Sequence, residues 1–90
     1  MGMSAVQFKI LPKSPDTNLE EVKEKIKELV EKSDGNFSSS EEQPIAFGLK
    51  ALVVSFAFPE EKEIDELGNS INQIQGVSSS EMIDYRRAIG

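Results

Sequence analysis

The amino-acid sequence predicts a single α+β domain, in which two helices cover one face of a four-stranded antiparallel sheet. Three observations support this prediction. The chain has only 90 residues, its apolar residues alternate in strand-like segments, and they recur at helical spacing in two other segments. A chain of this length can bury one two-layer core and nothing larger. We therefore expect residues 1–90 to form one domain.

The first strand and the first helix have clear signals. Val6, Phe8 and Ile10 alternate with polar residues and predict a half-buried strand over residues 5–11, stopped at Pro12. After a loop, Asn18 and Glu21 have the spacing of a helix N-cap and its capping-box partner. The following apolar residues form one helical stripe: Leu19, Val22, Ile26, Leu29 and Val30. We expect Asp34 and Gly35 to end this helix, with Gly35 in the left-handed conformation.

The middle of the chain predicts two strands joined by a turn. Residues 37–43 are rich in serine and glutamate and suggest a loop that passes into a strand. Pro44 cannot donate a ladder hydrogen bond, so this strand is predicted at an edge of the sheet. Residues 49–58 are the most apolar segment and predict a central strand. Its bulky residues share one face: Leu52, Val54, Phe56 and Phe58.

The last third of the chain predicts a second helix and a final strand. Pro59, Glu60 and Glu61 suit the first turn of a helix, where carboxylates meet the positive end of the macrodipole. A narrow apolar stripe follows: Ile64, Leu67, Ile71 and Ile74. Gly76 is expected to end the helix, and residues 77–89 are expected to form a more polar strand.

The order of elements is βαββαβ, which predicts a ferredoxin-like two-layer sandwich. The helical stripes should cover the inward side chains of the two central strands. We further expect strands one and three to be parallel and strand four to run opposite to strand one. This arrangement would bring the turn Ala46–Gly48 and the pair Arg86 and Arg87 to one common rim.

Composition excludes most catalytic chemistry. The chain has no cysteine and no histidine, so it has no disulfide, no thiolate nucleophile and no usual general base. The acidic pairs at 41–42 and 60–61 are interpreted as solvated loops, and no glycine-rich phosphate loop follows a strand. We therefore expect a protein that is not an enzyme and has no metal site and no cofactor.

Charge and hydropathy narrow the possible partners. The net charge is −6, which disfavours non-specific binding to nucleic acid and to anionic membranes. No apolar run approaches the length of about 20 residues that spans a bilayer. Residues 1–4 lack the features of a signal peptide, so we expect a cytoplasmic protein.

Two features of the sequence are candidates for a binding site. Arg86 and Arg87 are the only arginines, and a guanidinium is a permanently charged fork for phosphate or carboxylate. From the residues alone, a polar strand end or a solubilising tail is the favoured interpretation. Phe47, between Pro44 and Gly48, could be an exposed interface anchor at a turn or could pack back onto the core.

Four segments in a specific order resemble the archaeal translation elongation factor 1-beta family: Lys9–Asp16, Gln43–Leu52, Gly76–Ser79 and Arg86–Ile89. The chain also resembles the C-terminal catalytic domain of the eukaryotic beta subunit, without its N-terminal extension. The resemblance implies guanine-nucleotide exchange on elongation factor 1-alpha, a GTPase, by a factor that is monomeric when free.

The resemblance also implies roles for particular residues. A basic residue near the C-terminus, here Arg87 with Arg86 beside it, would reach the magnesium and phosphate region of the GTPase. The eukaryotic pattern has lysine at this position, so this chain replaces a point charge with a fork. The implied partner-binding residues are Ala46, Phe47, Gly48, Lys50 and Ile89.

The same fold also supports three other functions in other proteins. An RNA-binding module would need aromatic residues on the open sheet face, where the predicted residues are Gln7, Lys9, Ala51, Val53, Ser55 and Ala57. An acyl- or phosphoryl-transfer enzyme would need an arginine in the loop after the first strand, where Lys13 is the only cation. A small-ligand-binding regulatory domain is a further alternative.

Overall fold

The computed structural model describes residues 2–87. Its elements, in chain order, are β1 (Met3–Pro12), α1 (Leu19–Lys32), β2 (Asn36–Pro44), a short 3₁₀ turn (Ala46–Gly48), β3 (Lys50–Pro59), α2 (Ile64–Asn72) and β4 (Val77–Arg87). The four strands form one sheet in the order β2-β3-β1-β4, and every neighbouring pair is antiparallel. The predicted ferredoxin-like α+β sandwich is confirmed.

The core lies between the sheet and the two helices. Val6, Phe8 and Ile10 of β1 are buried, as the alternation of this strand predicts. The buried apolar residues on the helix-covered face of the two central strands form one continuous cluster with those of both helices. The Phe8 and Phe56 rings stack at 5.9 Å between centroids. The prediction that the helical stripes cover the central strands is therefore confirmed.

The direction of β3 differs from the expectation. β1 and β3 are antiparallel, with Ile10 opposite Leu52 and Ser4 opposite Phe58. The reason is the short connection between β2 and β3, which reverses the chain. β2 lies parallel to β1 on the far side of β3, so a reversal after β2 makes β3 run against β1 as well. The expectation of parallel strands one and three is wrong.

The start of α1 agrees with the sequence prediction, and its end differs from it. The Asn18 side chain accepts hydrogen bonds from the backbone N–H groups of Glu20 and Glu21, at 3.0 and 3.3 Å, so the predicted N-cap is confirmed. At the other end the left-handed residue is Asp34, with φ of 67°, and not Gly35. Glycine is needed at position 35 for space, because a Cβ there would lie 2.6 Å from the carbonyl oxygen of Ala57.

Two element bounds also differ from the predictions. β2 begins at Asn36, so the segment expected as a loop is already an edge strand. Its pairing with β3 supplies backbone hydrogen bonds that its polar side chains do not indicate. α2 begins at Ile64, because residues 59–62 form a turn closed by the Lys62 N–H donating to the Pro59 carbonyl at 3.1 Å. No described helix is long and apolar enough to cross a membrane.

Candidate functional site

The hairpin tip, residues 45–49 between β2 and β3, presents one aromatic side chain to solvent. Phe47 is 93% exposed, which decides between the two interpretations of this residue. Its backbone is left-handed, with φ of 62° and ψ of 30°. This conformation costs an L-residue about 1–2 kcal/mol. The sequence therefore places a large apolar side chain where it gains nothing from the core and where the backbone is strained.

Two backbone hydrogen bonds between residues of the hairpin tip define its shape. The Ile45 N–H donates to the Leu49 carbonyl at 2.8 Å, and the Leu49 N–H donates to the Ala46 carbonyl at 3.3 Å. Gly48 follows Phe47 with φ of 74°, a conformation that glycine adopts without a steric cost. Ala46, Phe47 and Gly48 are all exposed. The tip is thus a local structure that holds Phe47 outward.

Lys50 lies at the base of the hairpin tip, as the first residue of β3. Its ammonium is 3.9 Å from a carboxylate oxygen of Glu42 on β2. Both side chains are substantially exposed, so this pair contributes little to stability. Lys50 is therefore available as a polar contact beside Phe47.

The arginine end, residues 84–87 of β4, lies along the first residues of β1. Arg86 is opposite Ala5 and Arg87 is opposite Ser4. Because successive residues of a strand point to opposite faces, the two arginines lie on different faces of the sheet. Arg87 shares the helix-covered face with Ser4, while Arg86 lies on the open face. The pair is therefore not one cationic cluster.

The two arginines also differ in their partners. The Arg86 Nε lies 3.3 Å from a carboxylate oxygen of Asp84, which is on the same face. Among residues 2–87, no carboxylate lies within ion-pair distance of Arg87. Both arginine side chains are exposed. Of the two, Arg87 has the guanidinium that the described residues leave for an external anion.

The hairpin tip and the arginine end do not share a rim. Lys50, next to the tip, and Phe58, level with Ser4 and Arg87, lie at opposite ends of β3. Eight residues of strand separate them, which is about 26 Å at about 3.3 Å per residue. The molecule measures 42 × 20 × 18 Å, and these two regions lie at opposite ends of the sheet. The expected common rim is wrong, because it depended on parallel strands one and three.

Several exposed or polar residues near the arginine end were not identified from the sequence. Tyr85 is 39% exposed, and the neighbouring Met82 and Ile83 on β4 are also exposed apolar residues. β4 has a register shift opposite Gln7 and Phe8, which breaks the regular alternation. An alternation pattern cannot be followed through such a bulge, so the sequence offered no clear signal. Ile89, a predicted contact residue, lies outside the described residues.

The open face of the sheet has few features that bind RNA. The predicted open-face positions are confirmed by the strand register, with Gln7 opposite Ser55 and Lys9 opposite Val53. Gln7 donates a hydrogen bond to the Ser55 hydroxyl at 2.9 Å. In the part of the sheet that the structure describes, this face has no aromatic side chain on which a base could stack.

Some of the predicted residues border concavities: Gly48 and Lys50 line one of about 290 Å³, and Arg86 lines one of about 370 Å³. A concavity of about 710 Å³ lies between the two helices and is bordered by Lys25, Leu29 and Ile74. None of the described candidate residues borders it. Within residues 2–87 there is no group of three or more acidic side chains placed to hold a metal ion. The candidate residues within 2–87 are all exposed, so none of them is enclosed in a pocket.

The described chain is thus a two-layer α+β domain whose candidate residues are exposed at the two ends of its sheet. The family described as the EF-1 guanine nucleotide exchange domain matches residues 5–87. This match spans nearly all of the chain, and the chain belongs to that family. Its role is therefore guanine-nucleotide exchange for EF-1 in translation, which makes it an exchange factor rather than a catalytic enzyme.

Relatives from several archaea support this assignment over almost the whole chain. A Nanoarchaeum equitans protein named Elongation factor 1-beta is 40% identical over 82 residues, covering 90% of this chain and 100% of the relative. The protein of that name from Methanosarcina barkeri is 38% identical and covers 97% of this chain and 99% of its own. The one from Methanocaldococcus jannaschii is 35% identical and covers 98% and 100%.

Solved structures of other proteins share the fold alone. The C-terminal domain of MgtC from Mycobacterium tuberculosis has a TM-score of 0.72 and 12% identity, covering 90% of this chain and 86% of that chain. The ACT domain of a GTP pyrophosphokinase from Chlorobium tepidum has a TM-score of 0.61 and 16% identity, covering 88% and 96%. These likenesses support the ferredoxin-like architecture.

Proposed function

We propose that this protein accelerates GDP release from elongation factor 1-alpha by contacting the GTPase with both ends of its sheet. The arginine end approaches the magnesium and phosphate site, with Arg87 as the principal cation and Arg86 beside it. The hairpin tip docks on a second surface, with Phe47 as the anchor and Ala46, Gly48 and Lys50 around it. Ile89, two positions after Arg87 in the sequence, belongs to the same proposal as a further contact.

The observation that carries this proposal is the separation of the two regions. Residues about 26 Å apart cannot act on a single nucleotide phosphate site. Each region nevertheless has the chemistry of a contact: an exposed aromatic at one end, an exposed guanidinium at the other. A factor that bridges two surfaces of its partner uses both, and this replaces the common-rim arrangement expected from the sequence.

The chemistry of the arginine end suits the displacement of a metal ion. Mg²⁺ neutralises the phosphates of a bound nucleotide, so its removal weakens nucleotide binding. A guanidinium placed there competes for the same oxygens and forms charge-assisted hydrogen bonds. Arg87 fits this role better than Arg86, whose Nε is engaged by Asp84.

The energetic requirement is a difference in affinity. An exchange factor shifts its partner only if it binds the open, nucleotide-depleted state more tightly than the GDP-bound state. In the proposal, the hairpin tip supplies affinity for both states, and the arginine end supplies the preference for the open state. No covalent bond is made or broken, and the factor acts in the cytoplasm as a monomer without a cofactor of its own.

The direct test is release of a fluorescent GDP analogue from purified elongation factor 1-alpha, measured with increasing amounts of this protein. We expect the release rate to rise and saturate, which gives a maximal rate and a half-saturating concentration. Excess Mg²⁺ should reduce the acceleration, because it competes with the arginine end. An unchanged release rate at every concentration would refute the proposal.

A further inference from the structure

Ser4 and Tyr85 form a hydrogen-bonded pair of hydroxyl groups at the arginine end. The Ser4 hydroxyl donates to the Tyr85 phenolic oxygen at 3.0 Å. Ser4 is 1% exposed and is the one buried polar residue in the described part of the chain. Burying a hydroxyl without a partner costs free energy, so this contact satisfies a group that otherwise has no place in the core.

The position of this pair in the sheet is specific. The Ser4 backbone lies opposite Arg87, and Tyr85 lies opposite Val6 on the same face. The side-chain hydrogen bond therefore joins diagonal neighbours on two adjacent strands, Ser4 near the start of β1 and Tyr85 near the end of β4. It spans 81 positions of sequence and joins the start of the described chain to its end.

Apart from this side-chain pair, few interactions hold the arginine end in the sheet. β4 is an edge strand, so only β1 supplies its ladder hydrogen bonds. A register shift at Gln7 and Phe8 separates the arginine end from the rest of the β1–β4 ladder. Only four register pairs, from Gln7 and Asp84 to Ser4 and Arg87, follow this shift. The ends of edge strands open most easily.

We propose that Tyr85 and Ser4 are positioning residues for nucleotide exchange. By tying the arginine end to β1, their hydrogen bond keeps Arg87 on the helix side of the sheet and Arg86 on the open side. The cation then enters the partner's phosphate site already oriented, which avoids an entropy cost on binding. This inference rests on the proposed function, since it concerns the residue that acts on the nucleotide site.

The two residues differ in what their removal does to stability. Tyr85→Phe leaves the Ser4 hydroxyl buried without its partner, which is the costly case. Ser4→Ala removes the buried hydroxyl and leaves the Tyr85 hydroxyl, on a side chain that is 39% exposed, to bind water. Both variants break the same hydrogen bond, but only the first leaves an unsatisfied group in the core. Comparing the two variants therefore separates the effect of the hydrogen bond on the stability of the domain from its effect on the position of Arg87.

The experiment compares exchange activity, stability and local opening in four variants: Tyr85→Phe, Ser4→Ala, the double variant Ser4→Ala/Tyr85→Phe, and Ser80→Ala. Ser80→Ala is the matched control, because the Ser80 hydroxyl donates to the Asn72 side chain at 2.6 Å near the other end of β4. Exchange is measured as the maximal rate and the half-saturating concentration of GDP release. Opening is measured by hydrogen exchange of the amides of residues 84–87.

We expect Tyr85→Phe and Ser4→Ala to lower the maximal release rate by a similar factor, about 3- to 10-fold. The half-saturating concentration should change by less than about twofold, because the hairpin tip is untouched. Tyr85→Phe should lower the melting temperature by about 5 °C or more, and Ser4→Ala by less. Amides 84–87 should exchange faster in both variants. Ser80→Ala should leave the maximal rate unchanged.

Other outcomes overturn the inference. If the maximal rate follows the melting temperature, with Tyr85→Phe impaired and Ser4→Ala normal, the pair is only structural. Equal losses in Ser80→Ala would show that any loosening of β4 has the same effect. Normal rates in all variants, with a wild-type factor that does accelerate release, would refute positioning but leave the proposed function intact. A wild-type factor without activity would refute the proposed function itself, whatever hydrogen exchange shows at residues 84–87.

Discussion

The hairpin tip and the arginine end are both exposed and both lie at an end of the sheet, but they are built in different ways. Residues 45–49 close the tip with two backbone hydrogen bonds to one another. The arginine end is ordered by pairing with the first residues of β1, about 80 positions away in sequence. One region is local structure, and the other exists only when the whole domain has folded.

Under the proposed function, this difference assigns a different role to each end. A locally closed turn can present an aromatic anchor whatever happens to the rest of the sheet, which suits a docking contact. A cation whose direction depends on long-range pairing can be aimed with more accuracy, which suits a contact that must reach a small phosphate site. The predictions below test this division in exchange assays, from the largest expected effect to the smallest.

The largest effect is expected when both ends are changed together. Arg87→Ala/Phe47→Asn should strongly lower the slope of the GDP release rate against factor concentration, measured at low factor concentrations. The expected decrease is about 100- to 1000-fold. Residues that far apart without shared partners act independently, so the double variant should show the product of the single effects. If the double variant has the same activity as the more impaired single variant, the two ends do not bind the partner at the same time.

Arg87→Ala alone should lower the maximal release rate by about 10- to 100-fold, because charge-assisted hydrogen bonds contribute about 1.5–3 kcal/mol. The half-saturating concentration should change little. Lys62→Ala is the matched control, since Lys62 is another exposed cation near this end of the sheet, where it pairs with Asp34 at 3.5 Å. A similar loss in Lys62→Ala would point to general charge effects and away from a specific role of Arg87.

Phe47→Asn should raise the half-saturating concentration by about 10-fold and leave the maximal rate nearly unchanged, because burial of the ring in an interface contributes about 1.5 kcal/mol, the lower end of the range for large apolar side chains. Asparagine tolerates the left-handed backbone, so the turn should keep its shape. Phe47→Tyr, which retains the ring, should stay close to wild type. An effect on the maximal rate alone would contradict the docking role.

Ionic strength should distinguish the two ends with a smaller effect. Between ionic strengths of about 0.05 M and about 0.5 M, the loss caused by Arg87→Ala should shrink by about threefold, because salt screens the attraction between the guanidinium and the phosphate site. The loss caused by Phe47→Asn should stay the same, since an apolar contact is not screened. Spontaneous GDP release at each salt concentration is the baseline. Equal salt dependence at both ends would remove the chemical distinction between them.

Much of the fold could be predicted from residue patterns. The alternation of Val6, Phe8 and Ile10 identified β1 and its buried face, and Asn18 identified the start of α1. The apolar run that contains Val54 identified the central strand β3. These signals are reliable because burial and capping depend on residues a few positions apart, which the chain order itself brings together.

Other local details needed the packing of distant segments. Gly35 was expected to be left-handed, but its neighbour Asp34 takes that conformation, and Gly35 is required by its contact with Ala57 of β3. Residues 37–43 looked like a loop because their side chains are polar, yet the backbone of β3 pairs with them as a strand. Ala57 is 22 positions from Gly35, and the β3 partners of residues 37–43 are 8 to 19 positions away, so both lie beyond the few positions that a periodicity pattern compares.

By itself, the sequence determined the elements, the buried faces, the family and the identity of the candidate residues, including Phe47 and Arg87. The tertiary structure decided where those residues lie: at opposite ends of the sheet, with Arg86 and Arg87 on opposite faces. The physical reason is that periodicity reports which side of an element is buried but not which way it runs. The direction of β3 follows from the reversal at residues 45–49, and it is this reversal that separates the aromatic contact from the cationic one.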